Sequence, residues 1–165
     1  MSQQILQEIF ETRRKDIVTG MTFAIKDLRG SYERRPVEEI YKHCEEYYEA
    51  HVKNILEGRF QLLLDFADQL ARKRAAEGFR LHELIRGSLM FKKVVYPILV
   101  EKSWDNKSQL VEHLLAVDRS VDRFIVNMAQ VFVHYSREHI LKDPLEFPVW
   151  LEDLQRRYKG ESFIK

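Results

Sequence analysis

Residues 72–95, from Arg72 to Val95, read RKRAAEGFRLHELIRGSLMFKKVV, and this stretch decides the fold. It opens as the basic end of one helix, Arg72, Lys73 and Arg74, and then meets Gly78. Glycine adopts the left-handed conformation that closes a helix without steric cost. Phe79 follows, placed to fold back over that helix end. From Leu81 a new amphipathic segment begins, with Leu84, Ile85, Leu89, Val95 and Leu99 on the spacing of a helix face. Helix, tight stop, helix is the unit from which the rest of the chain is built.

Working toward the N-terminus, Phe60, Leu63, Leu64, Ala67, Leu70, Ala71 and Arg74 stand in register and predict a helix over about 59–77. Pro36 suits the first turn of a helix carrying Val37, Ile40, Tyr41, Cys44, Tyr48, Val52 and Ile55 until Gly58. Ahead of it, Ile5, Ile9, Ile17, Met21, Ile25 and Leu28 predict one helix from about Ser2, read as its N-cap, to Leu28.

Toward the C-terminus, Pro97 lies inside the helix that begins at Leu81. Proline lacks the amide hydrogen and crowds the preceding turn, which predicts a kink or an early end near Tyr96. From about Ser108 to Leu141, Leu110, Leu114, Val117, Val121, Phe124, Met128, Val131 and Tyr135 alternate at four and three, a coiled-coil type seam. A second stripe, Val111, Leu115, Ile125, Ala129 and Phe132, widens it. Asp143 and Pro144 end this helix, and Pro148 opens a short last one with Trp150, Leu151, Leu154 and Tyr158. The expected fold is an all-α, single-domain bundle over 1–165: five main helices with a core over about 16–141, then a short helix and tail over 144–165.

Composition supports a packed interior: 45% of 165 residues are apolar, with 10 Phe, 7 Tyr and 2 Trp. The 27 basic residues nearly balance 26 acidic ones, so no global field draws nucleic acid or an anionic membrane. No apolar run approaches the roughly 18 residues needed to span a bilayer. A lone Cys44 forms no internal disulfide, and the start lacks a signal peptide's order, so the expected location is cytoplasmic.

The reactive groups form no known catalytic or metal pattern. No Glu stands three residues before His43, His51, His82, His113, His134 or His139, so the Glu-x-x-His pairs of di-iron bundles are absent. There is no His-Glu-x-x-His zinc motif and no glycine-rich phosphate loop. Cys44 reads as a small buried hydrophobe. The basic residues around Gly78, namely Arg72, Lys73, Arg74, Arg80, Arg86, Lys92 and Lys93, leave a DNA-associated regulator as a further reading, but the helix after the turn shows core residues rather than base-reading polar ones. No catalytic residue, metal ligand or obligatory cofactor is expected.

From about Asp16 to Arg137 the chain resembles the N-terminal sensory domain of stressosome co-antagonist proteins, the non-haem globin-like domain of the RsbR and RsbRD type. The residues that carry the likeness are Ile17, then Arg74, Gly78, Phe79, Leu81 and Leu84, with Lys92 or Lys93 as the basic residue of the next helix. The resemblance implies a globin-related fold, dimerisation through the last long helices, and a sensing or docking role with regulatory protein partners. Such domains hand their last helix to a phosphoacceptor domain, and this sequence ends at Lys165 instead, which favours a freestanding sensor or adaptor.

On this reading the protein is a non-enzymatic signalling module. Leu114, Val117, Val121, Phe124 and Met128 are the expected homodimer contacts. Phe60, Phe66, Phe79, Phe91, Tyr96, Phe124 and Phe132 are the aromatic set that would enclose a small apolar ligand, if they are not simply packed together. The alternative is a haem or small-molecule binder with His82, near the start of the penultimate long helix, as axial ligand.

Overall fold

The protein, described here by a computed structural model over residues 2–140, is all-α. Among the described residues there are six α-helices and no strand: α1 (Ser2–Thr12), α2 (Arg14–Lys26), α3 (Val37–Glu57), α4 (Phe60–Ala76), α5 (Leu81–Ser103) and α6 (Lys107–Tyr135). A 3-10 turn, Gly30–Tyr32, separates α2 from α3, and a π-helical turn, Ser136–Ile140, follows α6. The expected Trp150 helix and the 144–165 tail lie outside the described residues.

The punctuation at α3 and α4 follows the sequence closely. Gly58, directly after α3, and Gly78, two residues after the end of α4, both adopt positive φ, 67° and 81°. Pro36 stands one place earlier than expected, as the extended residue before α3 rather than inside its first turn. At α6 the side chain of Asn106 accepts a hydrogen bond from the Gln109 amide at 3.1 Å, satisfying one of the free donors of that helix start.

Several expectations require correction. The single helix over 2–28 is two, divided at Arg13, whose ψ of 9° bends the chain while the bonds Arg13 N to Ile9 O and Ile17 N to Arg13 O continue across it. The bend lets α1 pack on α3 and α6, and α2 on α3 and α5. Ser2 is the first residue of α1 rather than its cap, and its hydroxyl reaches Glu112 and His113 of α6, both at 3.1 Å. Helix α5 runs unbroken through Pro97. Pro97 and Lys93, whose carbonyl loses its helical donor, both lie on the exposed side, where water takes the donor's place.

The seam of α6 is reassigned as well. Val117, Val121, Phe124 and Met128 are completely buried within the single chain, against α4 and α5, and Leu114 is half-buried beside them. The seam read as a contact between subunits is therefore the inward face of the bundle. A heptad-like stripe and the core stripe of a globular helix share the same spacing, so the pattern alone does not choose between them. Leu89 and Val37, expected in the core, are instead exposed.

The centre of the molecule is aromatic. His51 lies between Tyr47 (4.3 Å between ring centres), Phe91 (5.0 Å) and Phe124 (5.4 Å), with Phe66 closing the group against Phe124. Helices α3, α4, α5 and α6 each contribute to it.

Candidate functional site

The most unusual residue of the interior is Arg74. Its place in the apolar register of α4 carries it inward, and it is 1% exposed. A buried guanidinium requires compensation. Its Nη1 donates to Glu77 Oε2 at 2.7 Å and lies 3.6 Å from Glu39 Oε1. Arg35 meets the same two carboxylates, at 3.2 Å and 2.8 Å, so the four charges sum to zero. Both guanidinium groups lie over the ring of Phe79, Arg74 at 4.8 Å and Arg35 at 5.3 Å. Phe79 thus folds back as the sequence suggests, over a charged cluster. Arg74 Nε has no partner.

Beneath Arg74 is a chamber of about 30 Å³ between α2, α3, α4 and α5. Its walls are mainly apolar, from Met21, Ile25, Ile40, Leu70 and Leu84. Its polar edge comes from Arg74 and His43, and His43 Nε2 is the second buried nitrogen without a partner. Burial, with help from the charges of Arg74 and Lys73, pushes His43 down to about 3, so its ring is neutral near pH 7. Tyr47 and Ser88 also line the chamber but are committed elsewhere: Tyr47 donates to the Ser88 carbonyl and the Ser88 hydroxyl to the Leu84 carbonyl, both at 2.8 Å.

One side of the chamber is closed by Tyr32, on the 3-10 turn. Its ring packs edge-on against Phe79 at 5.0 Å. Its hydroxyl sits where a Cβ on Gly87 would approach within 2.6 Å, so glycine at 87 makes room for it. The turn begins at Arg29, a non-glycine residue at φ 57°, followed by Gly30 at φ 63°. Glu83 of α5 holds this strained segment by accepting from the Ser31 amide (2.9 Å), the Ser31 hydroxyl (2.8 Å) and the Arg80 amide (2.9 Å). Burial works against the Glu83 charge, yet these hydrogen bonds together outweigh it and hold the carboxyl below its ordinary range.

A second buried polar group joins α3 to α6. Ser120 Oγ lies 2.7 Å from His51 Nδ1 and accepts from Asn54 Nδ2 at 2.9 Å. His51 and Ser120 have the spacing of a base and a hydroxyl nucleophile, but both are sealed inside, and burial pushes His51 down to about 3. Cys44 is equally enclosed: burial raises its thiol to about 11, a hydrogen bond with Thr22 opposing only part of this.

The residues singled out in the sequence disperse. Phe66, Phe91 and Phe124 belong to the central aromatic group, Phe79 to the Arg74 cluster, and Phe60 lies under Arg123 at 4.9 Å. Tyr96 donates to Asp118, and Phe132 is buried further along α6. They do not enclose one pocket. His82 is exposed at the start of α5, on a polar groove with Arg34 and Arg80, away from the aromatic centre. The basic residues also separate: Arg72 pairs with Asp68, Arg74 is buried, and Lys92 pairs with Asp118 and Asp122. Of the five motif residues, Arg74 and Leu84 line the chamber, Phe79 roofs Arg74, and Gly78 sets the turn between them.

His43, Tyr47, His51 and Tyr32 were not anticipated as a group. The signal was present, since 43, 47 and 51 recur every four residues and share one side of α3. Among the described residues no cluster of three His, Cys, Asp or Glu side chains is arranged to hold a metal ion, and no helix is long and apolar enough to cross a membrane.

Fold and site together define an all-helical domain whose interior polar groups are arranged for hydrogen bonding under a strained, tethered turn. The chain belongs to the family described as the RsbT co-antagonist protein rsbRD N-terminal domain, whose family model matches residues 15–143. It is thus a stressosome-type signalling domain, and all five motif residues, Arg74, Gly78, Phe79, Leu81 and Leu84, fall within the matched span. Neither a search of curated proteins nor a search of solved structures returned a match.

Proposed function

We propose that this chain is a non-enzymatic, cytoplasmic, globin-like stressosome module that works as a homodimer, docks on regulatory proteins such as those an RsbT co-antagonist meets, and needs no resident cofactor. The observation that carries this reading is the family match over 15–143, which takes in α2 to α6.

The dimer surface we favour is the outer face of α6 and its border with α5. Val111, Leu115 and Val126 are 53%, 44% and 55% exposed and lie with Asp118 and Asp122 on one stripe of α6. Leu89 of α5 is exposed nearby, and Lys92 of α5 pairs with both Asp118 and Asp122, at 2.7 Å and 2.8 Å. Each apolar side chain fully covered by a partner contributes on the order of 1.5–3 kcal/mol before association costs.

Leu115→Glu is expected to give folded monomers in light scattering, with unchanged helical circular dichroism. Val121→Glu, at the inward seam, is expected to unfold the chain instead. A dimeric Leu115→Glu protein would defeat this choice of surface. An absorption spectrum tests the cofactor: a Soret band abolished by His82→Ala would overturn the cofactor-free reading.

A further inference from the structure

We propose that the outer groove between α3 and α4 is the docking site for this chain's own segment 148–159, which lays Trp150, Leu154 and Tyr158 over Leu62 and Phe66. The inference goes beyond the signalling reading above and does not depend on it.

The groove is open to solvent, about 610 Å³ in volume, and apolar where Ala50, Leu62 and Phe66 line it. Leu62 is 41% exposed, so part of that surface stands uncovered. Acids border it. Glu45 and Glu49 share Arg14, at 3.2 Å and 3.0 Å, whereas Glu46 and Asp65 meet no cation among the described residues. Helices α3 and α4 run antiparallel from Gly58, so Lys42 and Gln69 mark one end of the groove and Lys53 and Leu62 the other.

The chain itself arrives at the Lys42 end. The turn Ser136–Ile140 packs on α4, and Arg72, one turn beyond Gln69, lies over the Tyr135 ring at 5.8 Å. The stretch 141–150 reaches up to roughly 30 Å, against about 15 Å of helix from Arg72 back to Leu62. A tethered segment also meets its groove at an effective concentration on the order of millimolar, so a contact too weak to hold a free peptide suffices.

The sequence of 148–159 fits the groove in two respects. Trp150, Leu151, Leu154 and Tyr158 recur at the spacing of one helix side, the pattern of a helix laid into an apolar groove. The charges fall in complementary order. Entering at the Lys42 end, the segment sets Glu152 and Asp153 beside Lys42, then Arg156 and Arg157 beside Glu46 and Asp65. Position 152 precedes 156 by the same interval as 42 precedes 46, so a helix parallel to α3 keeps both matches in step. The opposite direction would set like charge on like. The outer stripe of α6 offers no such match, because Lys92 already pairs with its Asp118 and Asp122.

The test reads Trp150 fluorescence in the full chain, with Trp104→Phe leaving it the only tryptophan. The expected result is blue-shifted emission and acrylamide quenching severalfold below that of free tryptophan. Glu46→Arg with Asp65→Arg changes two exposed side chains, so helical circular dichroism is expected to hold while quenching rises severalfold and emission moves to the red. Adding Arg156→Glu and Arg157→Glu to that variant is expected to restore the shielding.

Trp150 as open to acrylamide as free tryptophan, a groove reversal without effect, or a counter-reversal that restores nothing would each overturn the proposal. A mixing experiment identifies whose segment is bound: the groove-reversed chain is combined with an intact-groove chain carrying Trp104→Phe and Trp150→Phe. No recovery of shielding is expected. Recovery would assign the segment to the groove of a second copy and overturn docking within one chain.

Discussion

Replacing His51 by Phe separates the contribution of one buried imidazole from everything else that titrates in this protein. His51 is enclosed by Tyr47, Phe91 and Phe124, and burial alone pushes it from 6.5 to about 3. Between those values the unfolded chain takes up a proton that the folded chain refuses, so stability falls as pH drops from 6.5 toward 3, by about 1.4 kcal/mol per pH unit. From pH 7.5 to 5.0 the loss from His51 is about 2 kcal/mol, and His43, also held at about 3, adds a similar amount. The Phe variant keeps only the His43 share. At pH 7.5 the substitution gives up the 2.7 Å contact with Ser120, which still accepts from Asn54, and removes the orphaned Nε2. These effects oppose each other, so the variant is expected within about 1 kcal/mol of wild type there. Urea unfolding at both pH values measures the difference, in which the carboxylates common to both proteins cancel. Wild type and variant losing equal stability between pH 7.5 and 5.0 would refute the reasoning.

Arg74→Leu removes a buried charge, yet Glu39 and Glu77 keep Arg35 and are partly exposed, so the cost is expected at about 1–3 kcal/mol rather than the 3–5 typical of a stranded buried ion; urea unfolding decides. Gly78→Ala meets no neighbour within 4 Å and pays only for a φ of 81°, so a loss of about 1–2 kcal/mol is expected, seen in calorimetry as a fall in Tm of roughly 2–8 °C. Cys44, with its thiol raised to about 11 inside α3, is expected to react with an aromatic disulfide reagent only as the chain unfolds, its rate rising along the denaturant transition; labelling within seconds in native buffer would contradict its enclosure.

Helix identity was legible because apolar spacing of three and four, with glycines at 58 and 78, is a local property of the chain. The misreadings arise where a local rule meets a tertiary choice. Nothing at Arg13 marks a break, since no Gly or Pro stands there and Ile9 and Ile17 keep the helical phase; the bend follows from the different partners of α1 and α2. Pro97 carries a strong local signal, but its position on the outer side of α5 leaves the freed carbonyl in water and the helix intact. The seam of α6 shows the widest gap between pattern and meaning. Val117, Val121, Phe124 and Met128 had to be buried, and the sequence does not say whether by this chain or by another copy. The outer residues Val111, Leu115 and Val126 become informative only once the inner stripe is known to be satisfied.

The site was legible in part, and for a reason that bears on how this family works. Arg74, Gly78, Phe79, Leu81 and Leu84 were visible as a motif, but their role depends on residues far away in sequence: Glu39 and Arg35 before α4, Tyr32 on its turn, His43 across the chamber. A void belongs to no residue; it is what remains when α2, α3, α4 and α5 pack, so no sequence pattern announces it. The connection between chamber and surface is physical all the same. Arg74 lines the chamber and also meets the Glu77 carboxylate and Phe79, against which Tyr32 packs, while Glu83 ties the Tyr32 turn to α5. Among the motif residues, Arg74 is where the chamber wall and the charged cluster near the outer surface share a single side chain.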